Sequence, residues 1–210
     1  MIEREIKLLV QSVPEARAAI IAAGAFPLKC RRLQEDALFD TDDETLRRRG
    51  CALRIRNDSG RSLLTFKGPV QPGPMKTREE HETVISDGDV LTHVLETLGM
   101  HVWFRYQKFR EEFAAEDATI ALDETPIGTF IEIEGGERAI LAIACALGRT
   151  PDDFILDSYR GLFLARRDQF GLDGAHMLRQ WRTRAIAPSV FVRGRRCATS
   201  RRYSNEAFFG

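Results

Sequence analysis

Glu3 and Glu5 stand two residues apart near the start of the chain, with Lys7 at the same interval behind them. In a β-strand, residues two apart share a face at about 7 Å from one another. This spacing therefore lays two carboxylates and an ammonium along one surface, with Ile2, Ile6 and Leu8 on the other. The interval recurs in Arg54 and Arg56, set against Leu53 and Ile55, and in Thr65 and Lys67, set against Leu64 and Phe66. It recurs again in Lys76, Arg78, Glu80 and Glu82, and in Tyr106, Lys108, Arg110 and Glu112. A last pair, Glu132 and Glu134, shares parity with Phe130 and turns away from Ile131 and Ile133. Like charges at this distance repel by about 2 kcal/mol at an effective dielectric near 20. A divalent cation relieves paired carboxylates, and a phosphate chain relieves paired arginines and lysines, so the kit fits a metal–polyphosphate ligand. One such strand would read as half-buried with a solvated charged face; solvated faces, however, usually mix in Thr, Ser and Gln, and here six strands carry charge.

The elements that must carry these pairs are short strands broken by a few helices. Ser12-Val-Pro-Glu15 reads as a capping box opening a helix that stops at Gly24. Residues 33–40 and 52–56 are strand-like, Asn57-Asp58-Ser59-Gly60 is a turn, and Ser62–Lys67 returns as the second arm of a hairpin. The Pro- and Gly-rich stretch Gly68–Met75 is a loop, and Lys76–Val84 a strand. Leu91, Val94, Leu95 and Leu98 give a helix its apolar face, with Gly99 behind it. Strands follow near 101–114, 118–123 and 129–134, then a helix over Glu137–Leu147, a fourth opened by Thr150-Pro151-Asp152-Asp153, and a further helical piece over 158–170. Strands outnumber helices without alternating with them, which predicts an α+β fold with a mainly antiparallel sheet. If that sheet curls into a barrel, the charged face becomes a lumen and helices cover the apolar face.

Composition narrows the class. The 210 residues carry 31 Lys+Arg and 31 Asp+Glu, so the formal charge is zero and a basic excess for nucleic acid is missing. At 43% hydrophobic and 30% charged the chain can bury a core. No apolar run approaches a membrane span and MIEREIKLLV is no signal peptide. Cys30, Cys51, Cys145 and Cys197 form no CxxC, which predicts a cytoplasmic setting without disulfides or structural zinc. Cys51 and Cys145 sit among apolar neighbours and are expected in the core. The zero conceals an asymmetry: residues 173–210 hold eight Arg against two acids, a net of +6, leaving −6 on residues 1–172.

In this order, the motifs resemble the CYTH domain family, the triphosphate tunnel metalloenzymes. Glu3-x-Glu5-x-Lys7 matches the family's opening signature, followed by Leu53-Arg54-Ile55-Arg56, Leu64-Thr65-Phe66-Lys67-Gly68-Pro69 and Lys76-Thr77-Arg78-Glu79-Glu80. Tyr106–Glu112, Leu122-Asp123-Glu124-Thr125-Pro126-x-Gly128 and Phe130–Glu134 continue it, and Ser158-Tyr159-Arg160 resembles the closing segment. The resemblance implies an eight-stranded antiparallel β-barrel with helices outside, binding a triphosphate compound with Mg²⁺ or Mn²⁺. It implies Glu3, Glu5 and Glu134 as metal ligands, helped by Glu132 and Asp123. It implies a phosphate-contacting set of Lys7, Arg54, Arg56, Lys67, Lys76, Lys108 and Arg110, with Lys7, Lys76 and Asp123 as the catalytic group. Asp123 rests on the family pattern alone. Residues 1–175 form the expected domain; the match ends near Met177, and 176–210 is expected to be an Arg-rich tail, disordered or unrelated to it.

Two chemistries occur in the family: hydrolysis of triphosphate, thiamine triphosphate or nucleotides, and cyclisation of ATP to cyclic AMP and pyrophosphate by class IV adenylate cyclases. Glu79-Glu80-His81-Glu82 and the Tyr106–Lys108 strand resemble the cyclase branch, so cyclisation is the expectation and hydrolysis the alternative. A non-catalytic polyphosphate-binding module is the alternative of another class; paired acids argue against it, since a passive anion site needs only cations. The expected partner is the small-molecule triphosphate, with no nucleic acid or membrane and a homodimer as a possible assembly. Asp40-x-Asp42-x-Glu44 lacks the Gly and the final Glu of a calcium loop. Trp103 and Phe104 are expected to pack rather than stack on a base, and no P-loop is present.

Overall fold

Pairing of the first strand with the last closes the sheet on itself. The computed structural model describes residues 1–179. Its eight strands are β1 (Ile2–Val10), β2 (Phe26–Thr41), β3 (Ala52–Asp58), β4 (Arg61–Lys67), β5 (Lys76–Ile85), β6 (Met100–Ala115), β7 (Ala118–Thr125) and β8 (Gly128–Gly135). They form a closed barrel in the order β1-β5-β4-β3-β2-β6-β7-β8, with every neighbouring pair antiparallel. Closure leaves no edge open to another chain. The β3–β4 hairpin turns through Ser59 (φ 56°) and Gly60 (φ 86°), both left-handed, which matches the strand twist. Asn57 Oδ1 accepts from Gly60 N–H at 2.9 Å and holds that turn.

Helices α1 (Val13–Ala22), α2 (Thr45–Arg48), α3 (Gly88–Thr97), α4 (Glu137–Ala146) and α5 (Tyr159–Arg166) lie in the connections. Ser12 caps α1 by accepting from Glu15 N–H, as the capping signature predicts. Ile20 of α1 and Ile140, Ile143 and Ala144 of α4 cover Ile6 and Leu8 of β1, Ile120 and Leu122 of β7, and Ile131 and Ile133 of β8. Leu91 and Leu95 of α3 cover Phe39 and Ile55. Leu162 and Phe163 of α5 pack with Phe104, Phe130 and Met177. The clusters under α1, α4 and α3 thus lie outside the barrel, whereas Phe104 and Phe130, which share the strand face of Lys108 and Glu132, pack with α5 on the lumen side.

The structure corrects several expectations. Val94 and Leu98 of α3 are exposed at 44% and 73%, because only Leu91 and Leu95 reach the sheet. Cys145 is exposed, since the core-facing side of α4 is taken by Ile143 and Ala144, whereas Cys51 is buried. The expected fourth helix is a single 3-10 turn, Pro151–Asp153, closed by the reciprocal Thr150 and Asp153 cap. Asp40, fully buried, accepts from Leu46 N–H and Arg47 N–H and caps α2. Beyond α5, Met177 exchanges backbone hydrogen bonds with Arg105 and Gln107 of β6 and is fully buried. The tail from residue 180 lies outside the described residues. Among those residues no helix is long and apolar enough to cross a membrane.

Candidate active site

Strand register brings the charged residues to one another inside the barrel. Glu5 lies opposite Glu134 and Lys7 opposite Glu132 across β1–β8, while Glu5 faces Lys76 and Glu3 faces Arg78 across β1–β5. Lys67 and Thr65 of β4 face Glu80 and Glu82 of β5. Arg56 of β3 faces Asp36 of β2, and Arg110 of β6 faces Asp123 of β7. A cavity of about 980 Å³ runs between them, lined by these charges except Asp36 and Asp123, which lie behind the arginines, and by Leu38, Ala52, Trp103 and Leu156.

The lumen charges form an ordered sequence of ion pairs. Lys67 bridges Glu3 at 2.6 Å and Glu80 at 2.7 Å, and Arg78 reaches Glu3 at 3.2 Å. Glu5 accepts from Lys7 at 2.8 Å and from Lys76 at 2.7 Å. Lys7 also meets Glu132 at 3.2 Å, which accepts from Arg110 at 2.7 Å. Asp36 accepts from Arg56 at 2.8 Å and lies 3.4 Å from Arg54, which approaches Glu82 at 3.6 Å. Lys7 and Lys108 are among the largest fully buried side chains, a placement that costs several kcal/mol per ion unless each charge is paired. Pairing is accordingly dense, and the exceptions matter. Arg54 Nε and Asp36 Oδ2 are buried without a hydrogen-bond partner, and Glu134 makes no ion pair or hydrogen bond among the described residues. Glu134 is solvent-exposed, whereas unsatisfied buried atoms such as Arg54 Nε and Asp36 Oδ2 mark places where a ligand completes the network.

Burial alone would raise the carboxyl of Glu5, but Lys7, Lys76 and Lys67 hold it well below its usual range. Burial likewise opposes ionisation of Glu132, which Lys7 and Arg110 overcome. Glu134 goes the other way: partial loss of hydration and the neighbouring Glu3 and Glu132 push its carboxyl up to about 7. Lys108 is pushed down to about 7 by burial and by Arg110 beside it, and Lys76 to about 8 by burial and Lys7.

Asp123 behaves unlike the other acids. It is fully buried, and its two oxygens accept from Lys108 Nζ at 2.8 Å, Arg110 Nε at 2.7 Å, Arg110 Nη2 at 2.6 Å and Tyr159 Oη at 2.5 Å. Three of these donors meet Oδ2 and one meets Oδ1, so Asp123 is engaged through both oxygens and organises cations. Glu3, Glu5, Glu132 and Glu134 supply only hard oxygen donors, the chemistry Mg²⁺ and Mn²⁺ take. Among the described residues no three acidic, His or Cys side chains converge as a ready metal cage. Mg²⁺ needs none, since it is held by one or two carboxylates completed by waters and substrate phosphates. The crowding that raises Glu134 is the strain a divalent cation relieves, so the residues fit the metal.

Asp36 and Tyr159 were not foreseen as site residues. Asp36 shares the period-two spacing with Gln34, but Glu35 puts charge on the opposite face and hides the contrast. Tyr159 arrives from α5, and only its place in a familiar closing segment marked it. Glu80 and Glu82 enter the network through Lys67 and Arg54, as strand parity predicts.

Residues 1–141 match the CYTH domain. A Methanocaldococcus jannaschii protein named "Putative adenylate cyclase" is 31% identical over 176 residues, which cover 77% of this chain and all of the relative. A Vibrio parahaemolyticus structure described as a "putative adenylate cyclase" superposes with a TM-score of 0.67 at 22% identity, over 78% of this chain and 98% of its own. A Hippeastrum structure, described as a "putative adenylyl cyclase" that reveals a dominant triphosphatase activity, gives 0.59 at 21% identity, covering 78% and 95%.

Proposed function

The chain is an enzyme of the CYTH domain family, and from that footing we propose that it turns over a triphosphate compound with Mg²⁺ or Mn²⁺ inside the barrel, cyclising ATP to cyclic AMP and pyrophosphate. The observation that carries this reading is the lumen itself, where Lys7, Arg54, Arg56, Lys67, Lys76, Lys108 and Arg110 line one cavity with Glu3, Glu5, Glu132 and Glu134. Apart from Glu134, these acids and bases pair with one another or with Asp36 and Asp123. Each carboxylate engaged by a metal frees a lumen cation for a phosphate oxygen, so metal and triphosphate should bind with mutual help. Glu3, Glu5, Glu132 and Glu134 would hold the metal, which supplies charge neutralisation on the phosphoryl oxygens.

The protein's own part is positioning and electrostatics. Arg54, Arg56, Lys67, Lys108 and Arg110 orient the phosphate chain, while Lys7 and Lys76 stabilise charge that builds on the transferred phosphoryl. In cyclisation the ribose 3′-OH attacks the α-phosphorus and pyrophosphate leaves. The size of the cavity supports a nucleotide, since ligand sites of roughly 300–1,000 Å³ hold drug-sized molecules, and Leu38, Ala52, Trp103 and Leu156 offer the same cavity an apolar wall. Hydrolysis at the terminal phosphorus is the second reading, favoured by what is described for the Hippeastrum neighbour. We place the protein in the cytoplasm, consistent with free thiols at Cys51 and Cys145, and take the barrel through Arg179 as the catalytic unit.

Product analysis separates the readings. ATP, inorganic triphosphate and thiamine triphosphate are incubated with the protein and Mg²⁺ or Mn²⁺. Cyclic AMP with pyrophosphate from ATP establishes cyclisation, orthophosphate establishes hydrolysis, and binding without any product establishes a passive module.

A further inference from the structure

Residue Tyr159 opens α5, beyond residues 1–141 that match the family domain. Ser158 caps this helix by accepting from Gly161 N–H, and Leu162 and Phe163 anchor it against Phe104 and Phe130. The Tyr159 ring is fixed edge-on to Phe130 at 5.8 Å between centroids and lies 6.0 Å from Tyr106. Its hydroxyl donates to Asp123 Oδ2, the oxygen that also accepts from Lys108 Nζ and Arg110 Nη2. Lys108 Nζ stands over the ring at 4.7 Å from its centre and Lys7 Nζ at 5.4 Å. Burial and the Asp123 charge push the phenol well above its ordinary range, so it stays a donor.

We propose that Tyr159 is a positioning residue that presents Lys7 and Lys108 to the triphosphate, its hydroxyl locking Asp123 and its ring serving as a weak, exchangeable partner for both ammonium groups. An ammonium held over an aromatic face is attracted more weakly than one held by a carboxylate. Lys7 is also paired with Glu5 and Glu132, and Lys108 with Asp123, so the ring adds a contact that keeps each ammonium in place when a phosphate oxygen replaces one of those carboxylates. The functional half of this inference rests on the reading that Lys7 and Lys108 meet phosphate; the geometric half does not.

Two variants test the halves separately. In lysine side-chain NMR of the ligand-free protein, ring currents should shift the Lys108 Hε protons upfield in wild type and in Tyr159→Phe, and the shift should vanish in Tyr159→Leu. An unchanged Lys108 signal in Tyr159→Leu would overturn the placement, whatever the enzyme's activity. In kinetics, Tyr159→Phe should lower kcat about tenfold while KM moves less than about threefold, and this loss should disappear in an Asp123→Asn background. Wild-type kcat in Tyr159→Phe, or an equal loss in both backgrounds, would reduce Tyr159 to a packing residue. A wild-type protein that shows the upfield shift yet turns over no triphosphate would instead sink the proposed function alone.

Discussion

Arg54 and Lys108 stand on opposite sides of the pairing question inside the lumen. Arg54 keeps a buried Nε without a hydrogen bond, only the 3.4 Å ion pair to Asp36, so a phosphate oxygen adds a charge-assisted bond there at the expense of no shorter one. Such bonds contribute about 1.5–3 kcal/mol, and Arg54→Ala should weaken inorganic triphosphate binding roughly tenfold or more, measured by calorimetry. Lys108 is committed to Asp123, and burial with Arg110 holds its pKa near 7. Its unfolded value is about 10.4, so between pH 7 and 10 the native state binds fewer protons than the unfolded one. The folded protein is therefore stabilised as pH rises through that window, by at most about 1.4 kcal/mol per unit from this group. Triphosphate reverses the depression by bringing negative charge. Metal-free binding at pH 8 should take up protons in wild type and fewer in Lys108→Met, read from calorimetry in buffers of different ionisation enthalpy. Equal uptake in both proteins would remove Lys108 from the phosphate set.

At the scale of elements, strands were legible and helices less so, for one physical reason. Period-two alternation survives wherever one face is charged and the other apolar, so Glu3/Glu5/Lys7, Arg54/Arg56 and Lys108/Arg110 are assigned to a common surface by sequence alone. β2 was read only over 33–40, although it begins at Phe26, because Lys29-Cys30-Arg31-Arg32 carries no alternation. α3 shows the converse limit. Its sequence carries an apolar stripe four residues wide, yet only Leu91 and Leu95 find a sheet to cover. Tyr159 could not be placed from spacing, because its partner Asp123 is 36 residues away and the contact depends on how α5 docks. That docking rests on Phe163, fully buried against Phe104 at 5.8 Å between ring centres. Phe163→Ala should cost about 3–5 kcal/mol in urea unfolding. A loss below about 1 kcal/mol would mean that α5 is held by something else.

For the molecule as a whole, the zero net charge is a sum of unlike parts. Residues 1–172 carry −6 although the ligand proposed for them is an anion, while the chain from 173 onward carries +6. What decides ligand preference is arrangement: the lumen acids and bases are interleaved on one face, where their fields act at short range. The Arg-rich segment is therefore dispensable to the account. A chain ending after Arg184 should fold and retain turnover within about twofold of the full-length protein, and loss of turnover in a folded truncation would extend the catalytic unit into the tail.

As a triphosphate site, the barrel lumen would exchange its acid–base pairs for metal and phosphate. Calorimetric titration with inorganic triphosphate, with and without Mg²⁺ or Mn²⁺, tests this exchange most directly in wild type and in Glu5→Gln. One triphosphate should bind per chain, more tightly with metal, and the metal enhancement should be reduced in Glu5→Gln. Binding indifferent to metal in wild type, or the same enhancement in both proteins, would contradict it.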